Sequence, residues 1–143
     1  MAGQGKAATF TLKSYRFLQV SMDFEAQEGA TLSVSFDPYG EYSKATGEYK
    51  LRLITRVSSE EKEFISTTLQ VVFGFTEFIE LSEIPDYFYP NCMAIVFPYV
   101  RSFLSTLSLQ ANVPQSSFRS LISLTFRESS SAIQKRWSKS STD

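Results

Sequence analysis

The sequence predicts an α+β fold, an antiparallel sheet covered on one face by a single long helix. Three observations predict it. Two stretches, 48–57 and 64–75, alternate apolar and polar residues with a period of two. The polar run Ser58, Ser59, Glu60, Glu61, Lys62 separates them as a hairpin connection would. From residue 89 onward the apolar period lengthens to that of a helix, out to Pro114.

In order along the chain, residues 13–25 read as a first strand. Leu18, Val20, Met22 and Phe24 share one side, and Gln19, Ser21, Asp23 and Glu25 share the other. Residues 26–47 read as a crossover loop with a short strand at 32–36, because Asp37-Pro38 and Tyr39-Gly40 carry turn chemistry. The next strand starts near Glu48, with Tyr49, Leu51, Leu53 and Val57 on one side and Lys50, Arg52 and Arg56 on the other. The returning strand places Ile65, Leu69, Val71, Phe73 and Phe75 together. Strands of this kind belong to an antiparallel sheet with one covered face. The helical stripe is Met93, Val96, Phe97, Val100, Leu104, Leu107 and Ala111, widened by Phe103, with Arg101, Ser102, Ser105 and Gln110 opposite. Pro90 marks its start and Pro114 its end. Pro98, inside the stripe, removes a backbone donor and crowds the preceding turn. Residues 115–143 are serine-rich and basic, with an apolar patch at Leu121, Ile122, Leu124 and Phe126, and read as a solvated, mobile tail.

Composition narrows the function. At 143 residues the chain is one domain with room for a real core. A net charge of −1 gives no general reason to expect nucleic acid or anionic membranes as partners. No apolar run is expected to be long enough to span a bilayer. Residues 2–9 lack the apolar core of a secretory signal, so a cytoplasmic location is expected. There is no histidine, and the single cysteine is Cys92, which rules out internal disulfides, His/Cys zinc sites and histidine-based triads. Cys92 is expected to be a small buried residue of the helix. The carboxylate pairs Glu60-Glu61 and Glu25/Glu28 have nothing to set them across a cleft. The expectation is therefore a protein that is not an enzyme and uses no cofactor or metal. Thirteen Phe and seven Tyr supply either a phenylalanine-built core or an exposed aromatic groove.

The run Tyr89-Pro90-Asn91 followed by Phe97-Pro98-Tyr99-x-Arg101 resembles the helix of the SecB family of export chaperones. The resemblance covers about 12–114, and includes Phe24-Glu25 at the end of the first strand and Phe36-Asp37-Pro38 in the crossover. It implies a four-stranded antiparallel sheet with helices on one side, and dimers that pair into a homotetramer. The implied activity is that of an ATP-independent holdase for unfolded or pre-secretory polypeptides in protein export. Phe36, Tyr39, Phe75 and Phe78 are the candidate lining of its groove, with ordinary core packing as the alternative for each. Members of the family pass clients to the translocation motor SecA through acidic residues of the open sheet face. Glu25 matches one of these, but Ser21, Ser66 and Thr68 stand where other acids are expected. Divergent members serve toxin–antitoxin systems, which is the alternative role. A dedicated single-partner binding protein on the same scaffold is another.

The resemblance implies the boundaries 1–11 (flexible), 12–114 (domain) and 115–143 (divergent). Beyond Pro114 the family continues with a Pro-Pro, aliphatic, Leu-Pro connector and a second helix, whereas this chain reads Pro114-Gln115-Ser116-Ser117-Phe118-Arg119. Codons for Pro-Pro-Val-Ile-Leu-Pro that have lost one base can be read as Pro-Gln-Ser-Ser-Phe-Arg. The tail is therefore expected to be frame-shifted and the second helix absent. The coding DNA tests this: restoring one base should regenerate the connector.

Overall fold

The computed structural model describes residues 9–24, 32–60 and 62–112. Strands β1 (Phe10–Met22), β2 (Ser33–Ser43), β3 (Glu48–Ser58) and β4 (Glu63–Phe75) form one antiparallel sheet in the order β1-β4-β3-β2. A short 3-10 turn, Leu81–Glu83, leads into the helix α1, Phe88–Gln110, which lies over one face. This is the α+β architecture that the hairpin and the change of period predict. Glu25, expected to end the first strand, lies outside the described residues, as do the expected tail and its apolar patch.

β3 and β4 follow their alternation closely. Tyr49, Leu51, Leu53 and Val57 pair with Phe73, Val71, Leu69 and Ile65, and all eight are at most 1% exposed beneath the helix. Thr55 and Thr67 continue that face as directly opposed partners, and their buried hydroxyls have no hydrogen-bond partner among the described residues. An orphan of this kind costs about 1–3 kcal/mol, so this end of the core is less favourable than the rest.

Two expectations need correction. The crossover is an eleven-residue strand, β2, fully paired with β3. Asp37-Pro38 does not turn the chain, because β2 is an edge strand and an edge tolerates a residue without a backbone donor. Val34, Phe36, Pro38 and Tyr42 face the core at a period of two. The first strand begins at Phe10 rather than 13, and its register slips between Leu12 and Ser14 and between Phe17 and Gln19. Each bulge inserts one residue and breaks the alternation. Phe10, Leu12, Tyr15, Phe17, Val20 and Met22 consequently pair with the core-facing residues of β4, and Leu18 is the extra residue of the second bulge.

The helix starts two residues before Pro90, which occupies its first turn, where a missing donor costs nothing. It ends at Gln110. Ala111 and Asn112 donate back to the carbonyls of Leu107 and Leu109, and Asn112 adopts φ 61°, a left-handed cap that asparagine tolerates. Contrary to the sequence expectation, α1 is long and apolar enough to cross a membrane by length and composition alone. Its serines and threonines count for little against that measure, and Arg101 is its one charge. In this fold it is a core helix: Phe88, Cys92, Met93, Val96, Val100 and Leu104 are buried on the sheet. Phe88 is the hub, with the rings of Phe10, Tyr49 and Phe75 at 4.8, 4.9 and 5.0 Å. Burial of one such ring contributes about 1.5–3 kcal/mol.

Candidate polypeptide-binding edge

The helix motif is explained by how it straddles the sheet. Val96 and Val100 point down into the core. Phe97 leans to one side, against Phe36 of β2 at 5.1 Å, and Tyr99 leans to the other, against Tyr15 of β1 at 4.3 Å. Pro98 between them faces solvent, as does Ala94, whose carbonyl loses its helical donor. Water can satisfy that carbonyl, so the proline sits where its defect costs least. Arg101 is also exposed.

The β1 side forms an aromatic seam. Phe10 meets Phe88, Tyr15 meets Tyr99, and Phe17 stacks on Phe103 at 3.9 Å with 16° between the planes. The helix therefore runs in the same direction as β1. Seven helical residues remain after Phe103, about 10 Å of rise, whereas five strand residues remain after Phe17, about 17 Å. The strand outruns its cover. Val20 and Met22 are on the core-facing side yet remain 40% and 44% exposed, and Leu18 and Tyr15 stay open at 42% and 47%. β1 is also a sheet edge, so one row of its backbone donors and acceptors has no strand partner among the described residues. A long edge beside uncovered apolar side chains is suited to accepting a further strand, from an extended polypeptide or from a second copy of this chain.

The four rings expected to line one groove do not come together. Phe36 is 2% exposed and belongs to the core beneath Phe97. Tyr39 is 58% exposed, but on the opposite face of the sheet, paired with Arg52. Phe75 is partly buried in the Phe88 cluster. Phe78 is 73% exposed and lies over Gly47 at the β2–β3 turn, where φ +69° favours glycine. The sequence reading missed Tyr15, Leu18, Val20 and Met22 as exposed surface. Their alternation marks a half-covered strand, and nothing in it reveals two bulges or the length of the helix.

Cys92 is fully buried, and burial pushes its thiol well above the ordinary value, so it is no nucleophile. Among the described residues no group of three or more His, Cys, Asp or Glu could hold a metal.

No family model matches the chain. It is 29% identical over 114 residues to the uncharacterized protein MJ0357 of Methanocaldococcus jannaschii, across 76% of this chain and 73% of that protein. Among solved structures it is similar to Rv1957 of Mycobacterium tuberculosis, a SecB-like chaperone in complex with a ChAD peptide from the Rv1956 HigA1 antitoxin. The TM-score is 0.58 at 15% identity, over 73% of this chain and 82% of that one. The fold is therefore SecB-like.

Proposed function

We propose that this protein is an ATP-independent chaperone that holds unfolded polypeptides as extended segments along β1. The observation that carries this reading is the edge of β1, thirteen residues long, with Tyr15, Leu18, Val20 and Met22 exposed beside it. Backbone pairing supplies affinity without regard to sequence, and the apolar side chains favour clients that have not yet buried their own. Phe78 adds a second apolar contact at the far end of the sheet, while Phe36 and Phe75 serve the core.

Assembly would use another surface. The solvent face of α1 carries Asn91, Ala94, Pro98 and Ser102, small and uncharged, with Arg101 the exception. Such a face supports close helix packing between copies and a homotetramer in the cytoplasm. Two client roles remain distinct. Export through SecA would use Glu25 and an acidic open face, but Ser21, Ser66 and Thr68 occupy that face in this chain. The antitoxin peptide bound by Rv1957 favours the toxin–antitoxin role.

Aggregation of several unrelated denatured proteins, followed by light scattering without nucleotide, tests the reading. A general holdase suppresses most of them at stoichiometric ratio. Protection of one polypeptide alone would instead identify a dedicated partner protein.

A further inference from the structure

The face of the sheet away from α1 contains no buried residue among those described, and the strand register arranges it in rows. One row reads Arg16, Gln70, Arg52, Tyr39 across β1, β4, β3 and β2. The adjacent row reads Ser14, Val72, Lys50, Glu41, and the row on the other side Gln19, Thr68, Ile54, Asp37. Most cations elsewhere are paired. Arg56 holds Asp37 at 2.7 Å, Lys13 holds Glu48 at 2.9 Å, Lys62 holds Asp23 at 2.8 Å, and Lys44 holds Glu80. Arg16, Lys50 and Arg52 make no ion pair among the described residues, although Glu41 stands opposite Lys50 in register. Among the described residues, Arg52 reaches only the Gln70 carboxamide, at 3.5 Å.

We propose that this face docks an acidic, extended polypeptide segment through its outward side chains, rather than through the backbone edge of β1. Charge complementarity selects the partner. Lys50 and Arg52 stand two residues apart on one strand, about 7 Å, the spacing of alternate side chains in an extended chain. Arg16 lies two strands away, about 10 Å, so a segment crossing the face meets a third cation. Val72 and Ile54, half-buried, and the exposed ring of Tyr39 offer apolar contact between the charges. Three cations fall short of the six to ten phosphate contacts of a strong duplex binder. One ring falls short of the two or three on which single-stranded RNA stacks. The cluster is also smaller than the four to eight cations of an anionic-lipid site.

The test is calorimetric titration of the full chain at low salt with a twelve-residue peptide alternating Glu with Thr and Val. The controls are the same peptide with Gln for Glu, a twelve-residue oligo-dT, and vesicles containing phosphatidylserine. The Glu peptide should bind and the Gln peptide should not. Lys50→Glu with Arg52→Glu, both on the interior strand β3, should weaken binding by about tenfold or more. Arg101→Glu, on the helix, should leave it unchanged. Equal binding of the two peptides, no binding of either, or an undiminished affinity in the double variant overturns the proposal. So does tighter capture of the oligonucleotide or vesicles that is lost in the same variant. The double variant must keep the parental melting temperature and its grip on denatured clients. If that variant unfolds, Lys50→Gln with Arg52→Gln takes its place, with a loss of at least threefold expected.

Discussion

Phe36 and Phe78 illustrate how little an aromatic side chain's identity says about its role. Both are candidates for a binding surface, yet one lies under Phe97 and the other is open to solvent. Phe36→Ala should lower stability by about 3–5 kcal/mol, and Phe78→Ala should leave it within about 0.5 kcal/mol, as read from denaturant midpoints. Phe36 was obscured in the sequence because Asp37-Pro38 resembles a turn, and only the pairing with β3 shows it to be a strand. Cys92 was legible, since a lone cysteine in a helical apolar stripe has little else to do. Its burial raises the folded-state pKa above the ordinary 9.0. The unfolded chain therefore loses a proton near pH 9 that the folded chain keeps. The stability contributed by the neutral thiol is full below that pH and declines as pH rises above it. Thiol-reagent labelling at pH 8 should be slow in buffer and fast in denaturant. Fast labelling of the native chain would contradict the buried position.

At the scale of elements, β3, β4 and α1 were legible because each keeps one period over a long run. β1 was misread because two bulges shift its faces, and bulges leave no mark in an alternation of this kind. The bulges matter to the site: the first turns Tyr15 and Phe17 toward the helix, and the second returns Val20 and Met22 to that side, where the helix ends short of them. In α1, the Pro98 defect faces solvent while Phe97 and Tyr99 reach the two sheet edges. Pro98→Ala restores a donor to Ala94 without disturbing either contact. It should raise stability, by about 1–3 kcal/mol, measured by denaturant unfolding. A loss of stability would mean that the proline shapes the helix so that both rings reach their partners.

For the whole molecule, two surfaces on one small sheet carry different chemistry. The β1 edge is apolar and open to backbone pairing, and the face opposite α1 is polar and cationic at its centre. The first is the surface proposed for chains that have not folded, and a second copy of this protein would compete for it. Light scattering distinguishes a monomer of 16.2 kDa from an assembly of four. The β1 edge must then remain reachable in whichever form predominates. The measurement that tests the account most directly is a titration of a fluorescent, permanently unfolded polypeptide into the wild-type chain and into Leu18→Lys/Val20→Lys/Met22→Lys, without nucleotide. The wild type should bind. The variant should bind at least about tenfold more weakly, while its unfolding midpoint shifts little because the three side chains are already about two-fifths exposed. Equal binding by the two proteins, with both folded, would show that β1 is not where clients are held.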